Sequence, residues 1–101
     1  LQYRILFRAW KDFRPLTEWK RDVDTIVDLF TRTKEPVNFV AWYIAEPDHA
    51  LHVNGYYNFE FEKMLSQLDN LFGYFLEKMD RAGLTNEVNI IFTADHGHTQ
   101  V

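Results

Sequence analysis

The chain has no cysteine, which excludes a disulfide framework and any thiolate metal site within it and leaves its redox compartment unread. Only three prolines and four glycines punctuate the 101 residues, and there is no repeat or low-complexity tract. Long hydrophobic runs are missing as well. The longest, Phe39–Ala45, has seven residues, against the roughly 20 that a bilayer-crossing helix needs. No membrane span is expected here. An initial Met and a signal-peptide pattern are also lacking, so the chain reads as a segment of something longer.

Basic charge is scarce in the second part of the chain. Residues 1–34 hold eight Lys/Arg and five Asp/Glu, whereas residues 35–101 hold three Lys/Arg and ten Asp/Glu, for a net charge of −4 overall. A groove that neutralises nucleic-acid phosphates needs the opposite balance, so no nucleic-acid groove is expected. An acidic half is better suited to holding cations. Apolar side chains are plentiful: 47% of residues are hydrophobic and 17% aromatic, which excludes a disordered linker and suits one domain at most.

Periodicity divides the chain into alternating elements. Leu1–Pro15 shows no clean pattern and reads as irregular. From Thr17, the residues Trp19, Val23, Ile26, Val27 and Phe30 recur at spacings of three and four, predicting an amphipathic helix that Pro36 stops. Val37–Ile44 is almost continuously apolar, as a strand covered on both faces would be. Ala45–Tyr57 reads as a long polar loop. A helix is expected over about Asn58–Ala82, with Asn58 as N-cap and an apolar stripe of Phe61, Leu65, Leu68, Phe72, Phe75 and Met79. Glu60 and Glu62 suit its positive end, Lys78 and Arg81 its negative end, and Gly83 its left-handed terminus. Val88–Thr93 is a second buried-type strand. The strand–helix–strand order implies an α/β fold with neighbouring parallel strands, most of whose sheet lies outside this segment. Both post-strand loops would then share the carboxyl edge, where open α/β folds bind ligands.

All four histidines, His49, His52, His96 and His98, fall in those two loops, as do Glu46, Asp48 and Asp95. Neither helix propensity nor core packing demands that placement. Imidazole and carboxylate are the ordinary ligands of a zinc-type ion when cysteine is absent. Each motif also has a plainer reading: Glu46-Pro47-Asp48 as a turn, and Asp95-His96-Gly97 as a strand exit with Asp95 as a cap. Together, at equivalent ends of neighbouring strands, they favour a metal.

The residues also carry a resemblance. Ala45-Glu46-Pro47-Asp48-His49-Ala50-Leu51-His52-Val53-Asn54-Gly55 resembles the E-P-D-x-x-G-H-x-x-G motif of the nucleotide pyrophosphatase/phosphodiesterase family, within the alkaline phosphatase superfamily. Asn89-Ile90-Ile91-Phe92-Thr93-Ala94-Asp95-His96-Gly97-His98-Thr99-Gln100 is similar to the same family's later strand and D-H-G-M-T motif. The likeness runs from about Pro36 to Val101, whereas the first 35 residues match only loosely.

That resemblance implies part of a phosphodiesterase catalytic domain with metal loops at residues 45–57 and 94–100, inside an alkaline-phosphatase-like α/β/α sandwich with a mostly parallel sheet. It implies two zinc ions, one held by Asp48 and His52 and the other by Asp95 and His96. A threonine hydroxyl at the second zinc would attack phosphorus and form a phospho-enzyme that water hydrolyses. Two cations roughly 4 Å apart suit that chemistry. The family's nucleophilic Thr and a further Asp fall upstream, and a last zinc-binding His downstream. Neither Thr93 nor Thr99 takes the nucleophile's part, and the segment alone is expected to be inactive.

Three positions depart from the family pattern. Leu51 stands where Gly is usual, and a left-handed backbone there would suit Leu poorly. Tyr56 replaces a common Pro. His98 replaces Met, either as a bystander or as an outer-shell partner of a ligand. Glu46 reads as an outer-shell acceptor, and His49 as solvent-facing. The implied substrates are nucleotide or lysophospholipid-type phosphodiesters, and the implied location is extracellular or membrane-anchored with the domain outside the cytosol. Alternatives are another superfamily reaction (sulfatase, phosphonate hydrolase, phosphoethanolamine transferase) or a catalytically inactive binding or structural ectodomain.

Overall fold

The computed structural model describes residues 16–57 and 59–99. The irregular reading of Leu1–Pro15 and Gln100 at the end of the second metal loop lie outside the described residues, whereas the N-cap expected at Asn58 is corrected: Phe59, at φ 66°, holds that position before a helix that starts at Glu60. Three helices are formed: α1 (Leu16–Thr31), α2 (Asp48–Asn54) and α3 (Glu60–Arg81).

α1 forms where the three-and-four spacing predicts it. Trp19, Val23 and Ile26 are buried on one face, and Val27 and Phe30 pack beside them. The helix ends at Thr31, short of Pro36, where the chain turns through Glu35 at φ 50°. Arg32 Nε donates to the Glu35 carbonyl at 3.0 Å across that turn.

α3 is the second wall of the core, with Leu71, Phe75 and Met79 buried against α1. The expected stripe is corrected in detail. Leu65 is exposed, while Leu71, absent from the expectation, is buried and Met64 is half-buried against the core. The helix carries apolar residues over a broad arc, and α1 covers only the line through 71, 75 and 79. Phe61, at the other end, meets Tyr56 instead, with ring centroids 5.6 Å apart. The expected acidic first turn and basic last turn are both present. Gly83 adopts φ 73° and closes the helix in a paired motif: its N–H bonds Asp80 O at 3.0 Å, and Leu84 N–H bonds Met79 O at 2.9 Å.

Residues 37–44 and 88–93 are non-helical, and among the described residues no strand ladder forms between them or elsewhere. Segment 37–44 still shows a two-residue alternation. Val40, Trp42 and Ile44 lie on the helical core, with Trp42 and Phe75 ring centroids 6.0 Å apart, while Phe39 and Tyr43 are exposed. Val88 joins the same core, and Phe92 reaches Phe72 at 5.2 Å between ring centroids. Both segments therefore run over the α1–α3 pair. Trp19, Val23 and Phe30 pack in that helical core, where a sheet face was expected to receive them.

The long loop expected over Ala45–Tyr57 is corrected too, because it contains α2. Seven residues with only Ala50 and Leu51 buried are too few to show a helical period in the sequence. Leu51 lies inside α2, and the left-handed residue of the loop is Gly55, at φ 69°. The substitution at Leu51 therefore meets no backbone obstacle.

Candidate metal centre

α2 supplies the first half of the site. Asp48 opens the helix and His52 stands one turn later on the same face, with His52 Nε2 3.3 Å from Asp48 Oδ1. Residues 95–98 supply the second half. His98 Nε2 lies 2.9 Å and His96 Nε2 3.6 Å from that same Asp48 oxygen. Asp95 Oδ1 is 3.8 Å from His96 Nε2. The His98 ring stands edge-on to both neighbours, 4.9 Å from His96 and 5.9 Å from His52 between centroids.

Three imidazole nitrogens thus surround one carboxylate oxygen. That oxygen is out of contact with solvent, yet it accepts no well-directed hydrogen bond. The donor atoms of Asp48, His96 and His98 all lie within 4.8 Å of one another. Nitrogen and oxygen atoms that converge without bonding each other are arranged as lone pairs around a shared cation would be.

The tautomer of one ring is fixed locally. His96 Nδ1 is 2.9 Å from the Gly97 carbonyl, which can only accept, so Nδ1–H donates and the neutral ring keeps its lone pair on Nε2, toward Asp48. The Gly97 carbonyl, followed by the Asp95 and Asp48 carboxylates, raises the His96 pKa above its ordinary value.

Glu46 and His49 do other work. Glu46 Oε2 accepts the Ala50 N–H at 2.9 Å, and Glu46 Oε1 lies 3.1 Å from His49 Nδ1. The Glu46 carboxylate, almost wholly buried, therefore closes the first turn of α2. His49 is turned to it and is exposed.

Of the sequence-predicted ligands, Asp48, His52 and His96 come together, and Asp95 lies 3.8 Å from the same His96 Nε2 that faces Asp48. His98, weighed as a bystander or an outer-shell partner, approaches Asp48 most closely of the three histidines. Its signal was a spacing: His96 and His98 are two apart in non-helical backbone, where alternate residues share a side.

Comparison with known proteins identifies the family. The model of the family "Type I phosphodiesterase / nucleotide pyrophosphatase" matches residues 4–101. Ectonucleotide pyrophosphatase/phosphodiesterase family member 7 of Rattus norvegicus is 38% identical over 90 residues, which is 89% of this chain and 20% of the relative. Family member 5 of Homo sapiens is 36% identical over 77% of this chain and 16% of its own length. A bis(5'-adenosyl)-triphosphatase of Xenopus laevis is 34% identical over 77% of this chain and 18% of its own length. The chain spans about a fifth of the length of these relatives. No solved structure matches it. A match along nearly the whole chain, with relatives above 30% identity, makes this chain a member of the type I phosphodiesterase/nucleotide pyrophosphatase family.

Proposed function

We propose that this segment supplies much of the metal centre of a hydrolase that cleaves nucleotide or lysophospholipid-type phosphodiesters, within an alkaline-phosphatase-like α/β/α sandwich. The observation that carries the reading is the orphaned Asp48 oxygen ringed by the Nε2 atoms of His52, His96 and His98. The donor set of carboxylate and imidazole fits zinc-type ions. Asp48 and His52 would hold one zinc, and Asp95 and His96 a second. When bound, such a pair polarises a phosphoryl oxygen and steadies the entering and leaving oxygens of the displacement.

The chain's own residues prepare that centre. Glu46 fixes the first turn of α2, so that Asp48 and His52 are presented together. Gly97 holds His96 in the tautomer whose Nε2 is free to donate its lone pair. Neutral imidazoles beside the carboxylates leave net positive charge on a loaded site, which suits an anionic diester. The relatives' names, nucleotide pyrophosphatase and bis(5'-adenosyl)-triphosphatase, favour nucleotide esters, and the prefix "ecto" supports a location outside the cytosol.

The test uses the complete protein that carries this segment. His52→Ala should abolish cleavage of a chromogenic nucleotide phosphodiester and lower the zinc content measured by mass spectrometry. His49→Ala should leave both nearly unchanged. A chromogenic lipid-head-group ester run in parallel decides the substrate class. Full activity or unchanged metal content in His52→Ala would overturn the reading.

A further inference from the structure

We propose that His98 is itself a ligand of the cation held at Asp48, an added nitrogen donor at the position where the family pattern has methionine. The inference rests on the metal reading above and extends it to a residue that reading does not require. Three observations carry it. His98 Nε2 is the nearest imidazole nitrogen to Asp48 Oδ1, at 2.9 Å against 3.3 Å for His52 and 3.6 Å for His96. Its side chain is also the least exposed of the three, at 25% against 72% and 52%, so it is set into the site while the others line its mouth.

The third observation separates a ligand from a hydrogen-bond partner. An imidazole that merely steadied Asp48 would aim its N–H at the carboxylate, yet the Asp48 oxygen receives no directed hydrogen bond despite the short separation. Ligand atoms held about 2.0–2.1 Å from a tetrahedral ion stand roughly 3.3 Å from one another. The three distances to Asp48 bracket that value. Imidazole is among the ordinary protein ligands of zinc, and a methionine thioether is not.

The experiment compares the complete wild-type protein with His98→Ala, His98→Met and Asp48→Asn. Zinc affinity is measured by competition with a chromophoric chelator, and the ligand field by the visible spectrum of the cobalt(II)-substituted protein. Both His98 variants should bind one ion at least about tenfold more weakly and shift the cobalt bands. His98→Met keeps the bulk of the side chain, so loss in both variants is not a packing effect. Weaker binding with unshifted bands would make His98 an outer-shell partner and overturn the proposal, as would wild-type affinity and bands. If Asp48→Asn loses an ion while the His98 variants do not, only the His98 assignment falls. Should Asp48→Asn also keep wild-type affinity, the metal reading falls with it.

Discussion

On the exposed side of the seam between α1 and α3, the Tyr74 hydroxyl donates to Asp24 Oδ1 at 2.8 Å. Lys78 Nζ stands 3.9 Å from the same oxygen, and the Lys20 and Lys78 ammonium groups lie 5.2 and 5.4 Å from the Tyr74 ring centroid. One phenol thus ties two helices through a charge-assisted hydrogen bond to Asp24 and a cation–π contact from Lys20, while Lys78 flanks the ring from its own helix. The bond to the Asp24 carboxylate raises the Tyr74 pKa above its ordinary 10.0, because ionising the phenol would set two negative oxygens together. A group whose pKa is raised by folding contributes stability that is whole below its unfolded value and is lost as pH climbs through the folded one. Tyr74→Phe should therefore lower stability at neutral pH by about 0.5–1 kcal/mol, the low end for a solvent-exposed bond. The gap between wild type and variant should close above the ordinary tyrosine range. Thermal midpoints of both proteins at neutral and strongly alkaline pH check this, and a gap that persists or widens would contradict it.

At the scale of elements, the end of α3 gives the cleanest test. Gly83 adopts φ 73° with open space where a Cβ would be, so Gly83→Ala adds no clash and isolates the backbone term. A loss of about 1–2 kcal/mol is expected, read from a chemical denaturation midpoint. Gly55 also has a positive φ and open space, but it closes the helix bearing Asp48 and His52, so a change there would mix folding with metal binding. The same two termini show what the sequence could reveal. α1 and α3 were legible because a long amphipathic helix repeats its signal over several turns, and Gly83 was legible because a left-handed terminus strongly favours glycine. α2 was not, since two buried residues in seven carry no period. Which line of α3 would be buried was also hidden: Leu65 and Leu71 differ by what lies opposite, not by their chemistry. Within the site, the clustering of histidines and carboxylates after the two apolar runs was visible, and Asp48, His52 and His96 do meet. The closeness of His98 to Asp48 depended on how residues 95–98 cross α2, which spacing alone does not specify.

The whole molecule is lopsided. Trp19, Val23, Ile26, Leu71, Phe75 and Met79 make a core on one side of segments 37–44 and 88–93, while Phe39, Tyr43, Ile91 and Phe92 are exposed. An apolar surface of that kind is seldom left uncovered in a soluble domain. Continuous apolar runs such as VNFVAWYI and VNIIFT suit strands covered on both faces, and this chain spans only a fifth of its relatives' length. The expected sandwich would supply the missing neighbours. A face covered only in the complete protein should respond to one substitution with effects of opposite sign. In the isolated segment, Ile91→Asp should reduce self-association and the binding of a hydrophobic dye, because it breaks an exposed apolar surface. In the complete protein, the same change should cost about 3 kcal/mol or more, because it buries a carboxylate with no partner. Dye binding and sedimentation of the segment, set beside the thermal midpoint of the complete protein, test both arms. A complete protein that tolerates Ile91→Asp without loss would mean that this face stays open to solvent, and the sandwich built over it would have to be abandoned.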